Sequence, residues 1–147
     1  MTSVSPSSLS QAPSKIAVVG LGYVGMSMAV LLARQNQVVA VDVMQSRVDQ
    51  VNNRVSPIED ADITQHLQTE QLDLRATTNL AEACAEAEYV VIATPTDYDA
   101  DTNRFNTKSV ESVIQAVLAA NPKAVMVIKS TIPVGYTEEV NRQFNTQ

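Results

Sequence analysis

Short apolar runs recur along this chain at intervals that suit strands separated by helices. Lys15-Ile16-Ala17-Val18-Val19, Gln37-Val38-Val39-Ala40-Val41, Leu72-Asp73-Leu74-Arg75-Ala76-Thr77, Glu88-Tyr89-Val90-Val91-Ile92-Ala93-Thr94 and Ala124-Val125-Met126-Val127-Ile128 read as strands. Consecutive apolar residues suit strands covered on both faces, as in a parallel sheet. Between them, apolar residues three and four apart mark one face of a helix. Such stretches run from Tyr23 to Gln35 (Val24, Met28, Leu31, Leu32), Met44 to Asn53 (Val48, Val51), Asp60 to Gln68 (Ile63, Leu67) and Ser109 to Ala120 (Val110, Val113, Ile114, Val117). Another runs to Ala87 from Thr78 or Asn79, either of which suits an N-cap, and a final helix follows the turn Ile132-Pro133-Val134-Gly135. Strands alternating with helices through right-handed crossovers predict an α/β fold, a doubly wound parallel sheet of about five strands in the order 3-2-1-4-5 with helices on both faces.

The first crossover carries the candidate chemistry. Three of the chain's four glycines fall in one run, Gly20-Leu21-Gly22-Tyr23-Val24-Gly25, between the first strand and the first helix. Gly20 suits a tight turn out of the strand, Gly22 lets a diphosphate approach bare backbone, and Gly25 lets the helix lie close to the sheet. The free N–H groups and positive dipole end of a helix beginning near Tyr23 then face the anion. The second strand ends on Asp42, 22 residues after Gly20, where a carboxylate can accept hydrogen bonds from the adenosine ribose hydroxyls. Strand, glycine turn, helix, strand and terminal acid in this order predict a Rossmann-type dinucleotide site. A carboxylate about 4 Å from a 2′-phosphate would be repelled by about 4 kcal/mol at an effective dielectric near 20, which favours NAD over NADP. Arg47, five residues on, suits a 2′-phosphate or stacking on the adenine edge, and a solvated helix arginine is the plain alternative. At the ends of the fourth and fifth strands, Thr94-Pro95-Thr96 and Lys129-Ser130-Thr131 bring hydroxyls to the same crevice.

With 147 residues the chain can form one domain with a sizeable core and no disulfides. Cys84, its single cysteine, has no histidine or lysine nearby to lower its pKa and reads as a structural thiol. His66, the single histidine, sits among polar neighbours and reads as a surface residue. A formal net charge of −6 argues against a nucleic-acid partner, which needs a basic patch. Residues 1–14 hold six serines and two prolines, so a disordered tail is expected before a dinucleotide-binding domain over residues 15–147. No apolar stretch reaches bilayer-spanning length, so no membrane partner and a cytoplasmic location are expected. Asp97, Asp99 and Asp101 imitate the start of a calcium loop, but Thr102 and Lys108 stand where glycine and glutamate are needed, and no metal is expected.

Four motifs in order, KIAVVGLGYVG at Lys15 to Gly25, SPI at Ser56 to Ile58, IATPTDYD at Ile92 to Asp99 and KSTIPVG at Lys129 to Gly135, resemble the N-terminal domain of the UDP-glucose/GDP-mannose dehydrogenase family. The resemblance covers residues 15–147. It implies NAD as cofactor, a UDP-sugar as substrate, and oxidation of the sugar's C6 alcohol to a carboxylate in two NAD-dependent steps through a thiohemiacetal and a thioester on a cysteine. The TPTDYD loop is more similar to the UDP-glucose branch, whose product is UDP-glucuronate. By resemblance, Gly20, Gly22 and Gly25 with the Tyr23 and Val24 amides form the diphosphate site, Asp42 and Arg47 contact the adenosine ribose, and Thr96 adds a cofactor contact. Thr131 resembles the threonine that orients a water near the reacting carbon, a role a hydroxyl at this strand end can fill physically, with a helix cap as the plainer alternative. The family's nucleophilic cysteine lies in a glycine-rich segment followed by a lysine and an aspartate, and its glutamate-bearing loop follows a sixth strand. Neither falls within these residues, and Cys84 does not match that context. The expectation is a cofactor-binding domain without turnover of its own, from a longer dehydrogenase that is a homodimer when full-length and that binds its UDP-sugar mostly through other domains.

Two further readings stay open. UDP-N-acetylmannosamine and GDP-mannose dehydrogenases share the plan of this domain. A non-enzymatic dinucleotide-sensing domain, of the kind attached to potassium channels, has similar length and the same glycine run, but no reason to carry Lys129-Ser130-Thr131-Ile132-Pro133 beside a nicotinamide.

Overall fold

A computed structural model describes residues 14–69, 71–94, 98–99, 104–105, 107–130 and 135–144. In chain order it runs β1 (Lys15–Val19), α1 (Tyr23–Ala33), β2 (Gln37–Val41), α2 (Gln45–Asn52), α3 (Ala61–Thr69), β3 (Leu74–Thr77), α4 (Leu80–Ala85), β4 (Tyr89–Ile92), β5 (Tyr98–Asp99), β6 (Arg104–Phe105), α5 (Lys108–Ala120), β7 (Val125–Ile128) and α6 (Tyr136–Phe144). Five strands form one parallel sheet in the order β3-β2-β1-β4-β7, which is the expected 3-2-1-4-5 with β7 as the fifth strand. The addition is a hairpin in the loop after β4, where β5 and β6 pair antiparallel with Tyr98 opposite Phe105 and Asp99 opposite Arg104. Two-residue strands are too short for an alternating pattern to register.

Both faces of the sheet are covered because successive strand residues point to opposite sides. Ile16 and Val18 of β1 join a core with Met26, Val30, Val51 and Leu67 from α1, α2 and α3. Ala17 and Val19 join the opposite core with Cys84, Ile114, Val117 and Val140 from α4, α5 and α6. Asn79 caps α4 by accepting the Glu82 N–H at 3.0 Å. No helix among the described residues is long and apolar enough to cross a membrane.

The face that α1 buries departs in part from the expected stripe, of which Met28 and Leu32 pack partly buried against the core. Val24 and Leu31 are 46% and 57% exposed, while Gly25, Met26, Ala29, Val30 and Ala33 are buried. The helix is apolar nearly all round, so hydrophobicity does not select its inner face. Gly25, Ala29 and Ala33, four apart, bring the helix axis close to the sheet, and Met26 and Val30 are buried beside them.

The two edges of the sheet are built differently. Outside β3, Asn52 donates from Nδ2 to the Ala76 carbonyl at 3.1 Å and accepts the Ala76 N–H at 2.8 Å. Arg54 donates to the carbonyls of Leu74 at 2.9 Å and Leu72 at 3.2 Å. These side chains satisfy backbone groups that an edge strand leaves open. On the other side β7 is the outermost strand among the described residues, with Val125 and Val127 exposed. Replacing Asn52→Ala is expected to lower the unfolding free energy by about 1–3 kcal/mol, read as a lower urea midpoint with an unchanged slope. An unmoved midpoint would show that Asn52 contributes nothing to holding the β3 edge.

Candidate functional site

The C-terminal ends of β1, β2, β4 and β7 meet at one edge of the sheet and are laced together by backbone bonds. Gly20 N–H donates to the Val41 carbonyl at 2.8 Å, Ala93 N–H to the Val19 carbonyl at 2.8 Å, and Lys129 N–H to the Ile92 carbonyl at 2.7 Å. The direction of strand succession reverses between β1 and β4, which is where sheets of this kind leave a crevice for a ligand.

Three glycines stand at this crevice for different reasons. Gly20 leaves β1 with φ +100°, and a Cβ there would lie 2.6 Å from the Ala93 carbonyl oxygen. A Cβ on Gly25, in the first turn of α1, would run into the Gly20 carbonyl. The fold itself demands both. Gly22 is another case: its φ of −82° and ψ of −162° suit any residue, and a Cβ built on it meets nothing within 4 Å. The space a side chain would occupy there is open, which fits a group from outside the chain resting on bare backbone.

Gly22 is also the N-cap of α1. It offers no side-chain cap, the first turn holds no acidic residue, and the first helical bond runs from Met26 N–H to the Gly22 carbonyl at 2.9 Å. The amides of Tyr23, Val24 and Gly25 therefore precede the first acceptor the helix supplies. With the positive end of the helix dipole behind them, they form a ready anion site.

Asp42 closes the next strand with its side chain only 7% exposed. Its Oδ2 accepts the Leu21 N–H at 2.9 Å and its Oδ1 accepts the Met44 N–H at 2.9 Å. Arg47 Nη1 lies 3.5 Å from Oδ2. One carboxylate thus ties the glycine loop to the start of α2, while Oδ1 keeps a lone pair for a further donor. Its charge stands against a second anion, and Arg47 is turned toward the carboxylate. Spacing identifies Asp42 as an acid at a strand end; its bond to Leu21 leaves no mark on the sequence.

Three hydroxyls cluster on the other side of the crevice. Ser109, in the first turn of α5, donates from Oγ to Thr94 Oγ1 at 3.2 Å, and Ser130 donates from Oγ to the Thr94 carbonyl at 2.7 Å. Thr94 and Ser130 bracket the edge as the motifs suggest. Ser109 falls in a stretch that reads only as helix, and its partnership with Thr94 appears in three dimensions alone. Thr96 and Thr131 lie outside the described residues, as does the tail up to residue 13. Gly135, with φ +80°, leads into α6. Away from this edge, His66 lies partly exposed beside Arg34, with Nδ1 3.2 Å from Nη2. Cys84 is fully buried on α4. Among the described residues no group of three or more His, Cys, Asp or Glu side chains is placed to hold a metal ion.

A doubly wound parallel sheet whose first crossover presents an uncapped helix N-terminus above an unfilled glycine, with a buried aspartate at the next strand end, is a dinucleotide-binding domain. The chain belongs to the UDP-glucose/GDP-mannose dehydrogenase family, whose NAD binding domain its residues 14–147 match. It is 48% identical over 132 residues to the UDP-glucose 6-dehydrogenase of Streptococcus pneumoniae, an overlap covering 90% of this chain and 34% of that protein. It is 41% identical over 133 residues to the UDP-glucose 6-dehydrogenase of Campylobacter jejuni, covering 89% of this chain and 34% of that protein. The chain spans about a third of the length of these relatives. The structure also matches that of a GDP-mannose dehydrogenase from Pseudomonas aeruginosa with a TM-score of 0.78 at 26% identity, over 86% of this chain and 30% of that one. NAD is therefore the cofactor of this domain, and the open space at Gly22, the bare α1 amides and Asp42 Oδ1 fit its diphosphate and ribose.

Gly22→Ala is expected to melt within about 2 °C of the unsubstituted chain and to bind NAD at least about tenfold more weakly by calorimetry. Gly25→Ala, by contrast, is expected to lose about 3 kcal/mol or more of stability. A Gly22→Ala chain that binds NAD normally would contradict this account of the glycine.

Proposed function

We propose that the chain supplies the NAD site of an enzyme that oxidises UDP-glucose at C6 to UDP-glucuronate in two NAD-dependent steps. The observation that carries this reading is the unfilled space over Gly22 at the uncapped start of α1. Support for the sugar comes from the 48% and 41% identity to proteins named UDP-glucose 6-dehydrogenase, against 36% to a UDP-N-acetyl-D-mannosamine dehydrogenase of Campylobacter jejuni.

In this reading the diphosphate rests on the Tyr23 and Val24 amides over Gly22, with Gly20 and Gly25 shaping the turn. Asp42 accepts from the adenosine ribose through Oδ1, and Arg47 flanks the adenosine while neutralising part of the carboxylate's charge. Thr96 adds a cofactor contact, and Thr131 orients the water that attacks at the reacting carbon. Bound NAD takes up the hydride released in each oxidation. The UDP-sugar is held mostly by residues outside this chain, in a parent enzyme that is a cytoplasmic homodimer.

Covalent chemistry on a cysteine requires a thiolate that can reach the sugar. Cys84 is unsuited to that role: it is fully buried, and burial pushes its thiol up from 9.0 to about 11. The nucleophile of the parent enzyme therefore comes from another segment, and the chain alone binds NAD without turnover.

Calorimetry is expected to show NAD binding at least about tenfold more tightly than NADP, given the charge on Asp42. The same chain mixed with NAD and UDP-glucose is expected to form no NADH by absorbance. Tighter NADP binding, or NADH production, would overturn the reading. Cys84 provides a separate check through pH. The unfolded thiol ionises near 9.0 and the folded one near 11, so the buried neutral thiol contributes stability fully below the lower value and loses it as pH rises through the upper one. The unfolding free energy should accordingly fall between those two values, and a Cys84→Ala chain should lack that component of the fall.

A further inference from the structure

We propose that Ser109 is a positioning residue of the NAD site, whose hydroxyl orients Thr94 so that Thr94 Oγ1–H is free to donate to an oxygen on the nicotinamide nucleoside. The inference rests on the NAD reading of the crevice and follows from counting protons. Three hydroxyls carry three protons. That of Ser130 goes to the Thr94 carbonyl at 2.7 Å, and the Ser130 backbone N–H goes to the Ile92 carbonyl at 3.1 Å, so Ser130 is held between the ends of β4 and β7. That of Ser109 goes to Thr94 Oγ1 at 3.2 Å. Thr94 Oγ1 is thus an acceptor on its Ser109 side, and its own proton must leave in another direction. The hydroxyl neighbour there is Ser130 Oγ at 3.5 Å, beyond the usual O–H···O range. The Thr94 proton is therefore aimed without being firmly bound.

Thr94 occupies the right place for such a donor. Its backbone nitrogen would be 3.0 Å from the Cβ that Gly20 lacks, so it adjoins the turn that faces the diphosphate. Asp42 lies on the far side of β1, over β2, and takes the adenosine half. The other half of an extended dinucleotide then runs over β4 and β7, where Thr94 and Ser130 stand. Ser109 sits on the first turn of α5 and is linked to Thr94 through its Oγ.

Calorimetry of the chain with NAD and with ADP, for the unsubstituted protein, Ser109→Ala and Ser109→Thr, tests this. Ser109→Ala is expected to weaken NAD binding about three- to tenfold, the worth of one hydrogen bond, with ADP affinity and melting temperature unchanged. Ser109→Thr, which keeps a hydroxyl, is expected to restore NAD binding. The role is overturned if Ser109→Ala binds NAD normally, if NAD and ADP weaken equally, or if Ser109→Thr binds as poorly as Ser109→Ala. An unsubstituted chain that binds neither ligand would overturn the NAD reading itself along with this role.

Discussion

The closeness with which α1 approaches the end of β1 governs the rest of this structure. At Gly25 the helix touches the carbonyl of Gly20 with no room for a single methyl group, and Ala29 and Ala33 continue the same shallow contact along the sheet. The approach brings the uncapped amides of the first turn to the C-terminal ends of the strands. It also constrains Gly20, whose positive φ is the backbone solution that passes under Ala93 and still feeds the helix. A helix lifted by one methyl group would carry its positive end away from the crevice, and the dipole's influence fades within a turn.

Asp42 keeps that geometry in place. A buried carboxylate needs partners, and this one has the Leu21 N–H, the Met44 N–H and Arg47. Two of these are backbone groups from separate crossovers, so a single side chain clamps the glycine loop against the start of α2. The loop is thereby set before any ligand arrives, which reduces the ordering cost of binding. Presenting a lone pair on Oδ1 and shaping the loop are two tasks of the same carboxylate, and they explain why an acid rather than a neutral hydrogen-bonding residue suits this strand end.

Much of this was legible in the residue pattern. The strands show as apolar runs because burial on both faces leaves few polar positions, and the glycines and Asp42 show because their spacing is set by one crossover. What did not show depends on contacts rather than on spacing. The buried face of α1 centres on the close contact of Gly25, Ala29 and Ala33 with the sheet, so Val24 and Leu31, though apolar, point outward. The β5–β6 hairpin is too brief to leave a periodic trace, and the hydroxyl cluster joins Thr94, Ser109 and Ser130 from three elements that only folding brings together. Cys84 reads correctly from its surroundings, because a thiol without nearby cations is ordinarily a packed one.

The proposed function orders these parts across the sheet: an acid at β2 for the adenosine ribose, bare amides over β1 for the diphosphate, hydroxyls at β4 and β7 for the nicotinamide side. We propose that α1's first amides bind the diphosphate of NAD. Amide nitrogen–proton NMR during NAD titration reads this contact residue by residue. The largest chemical-shift changes are expected at Gly22, Tyr23 and Val24, with smaller ones at Leu21 and Thr94. Changes confined to the opposite groove around Leu118, Val140 and Phe144, with the α1 amides unmoved, would contradict it.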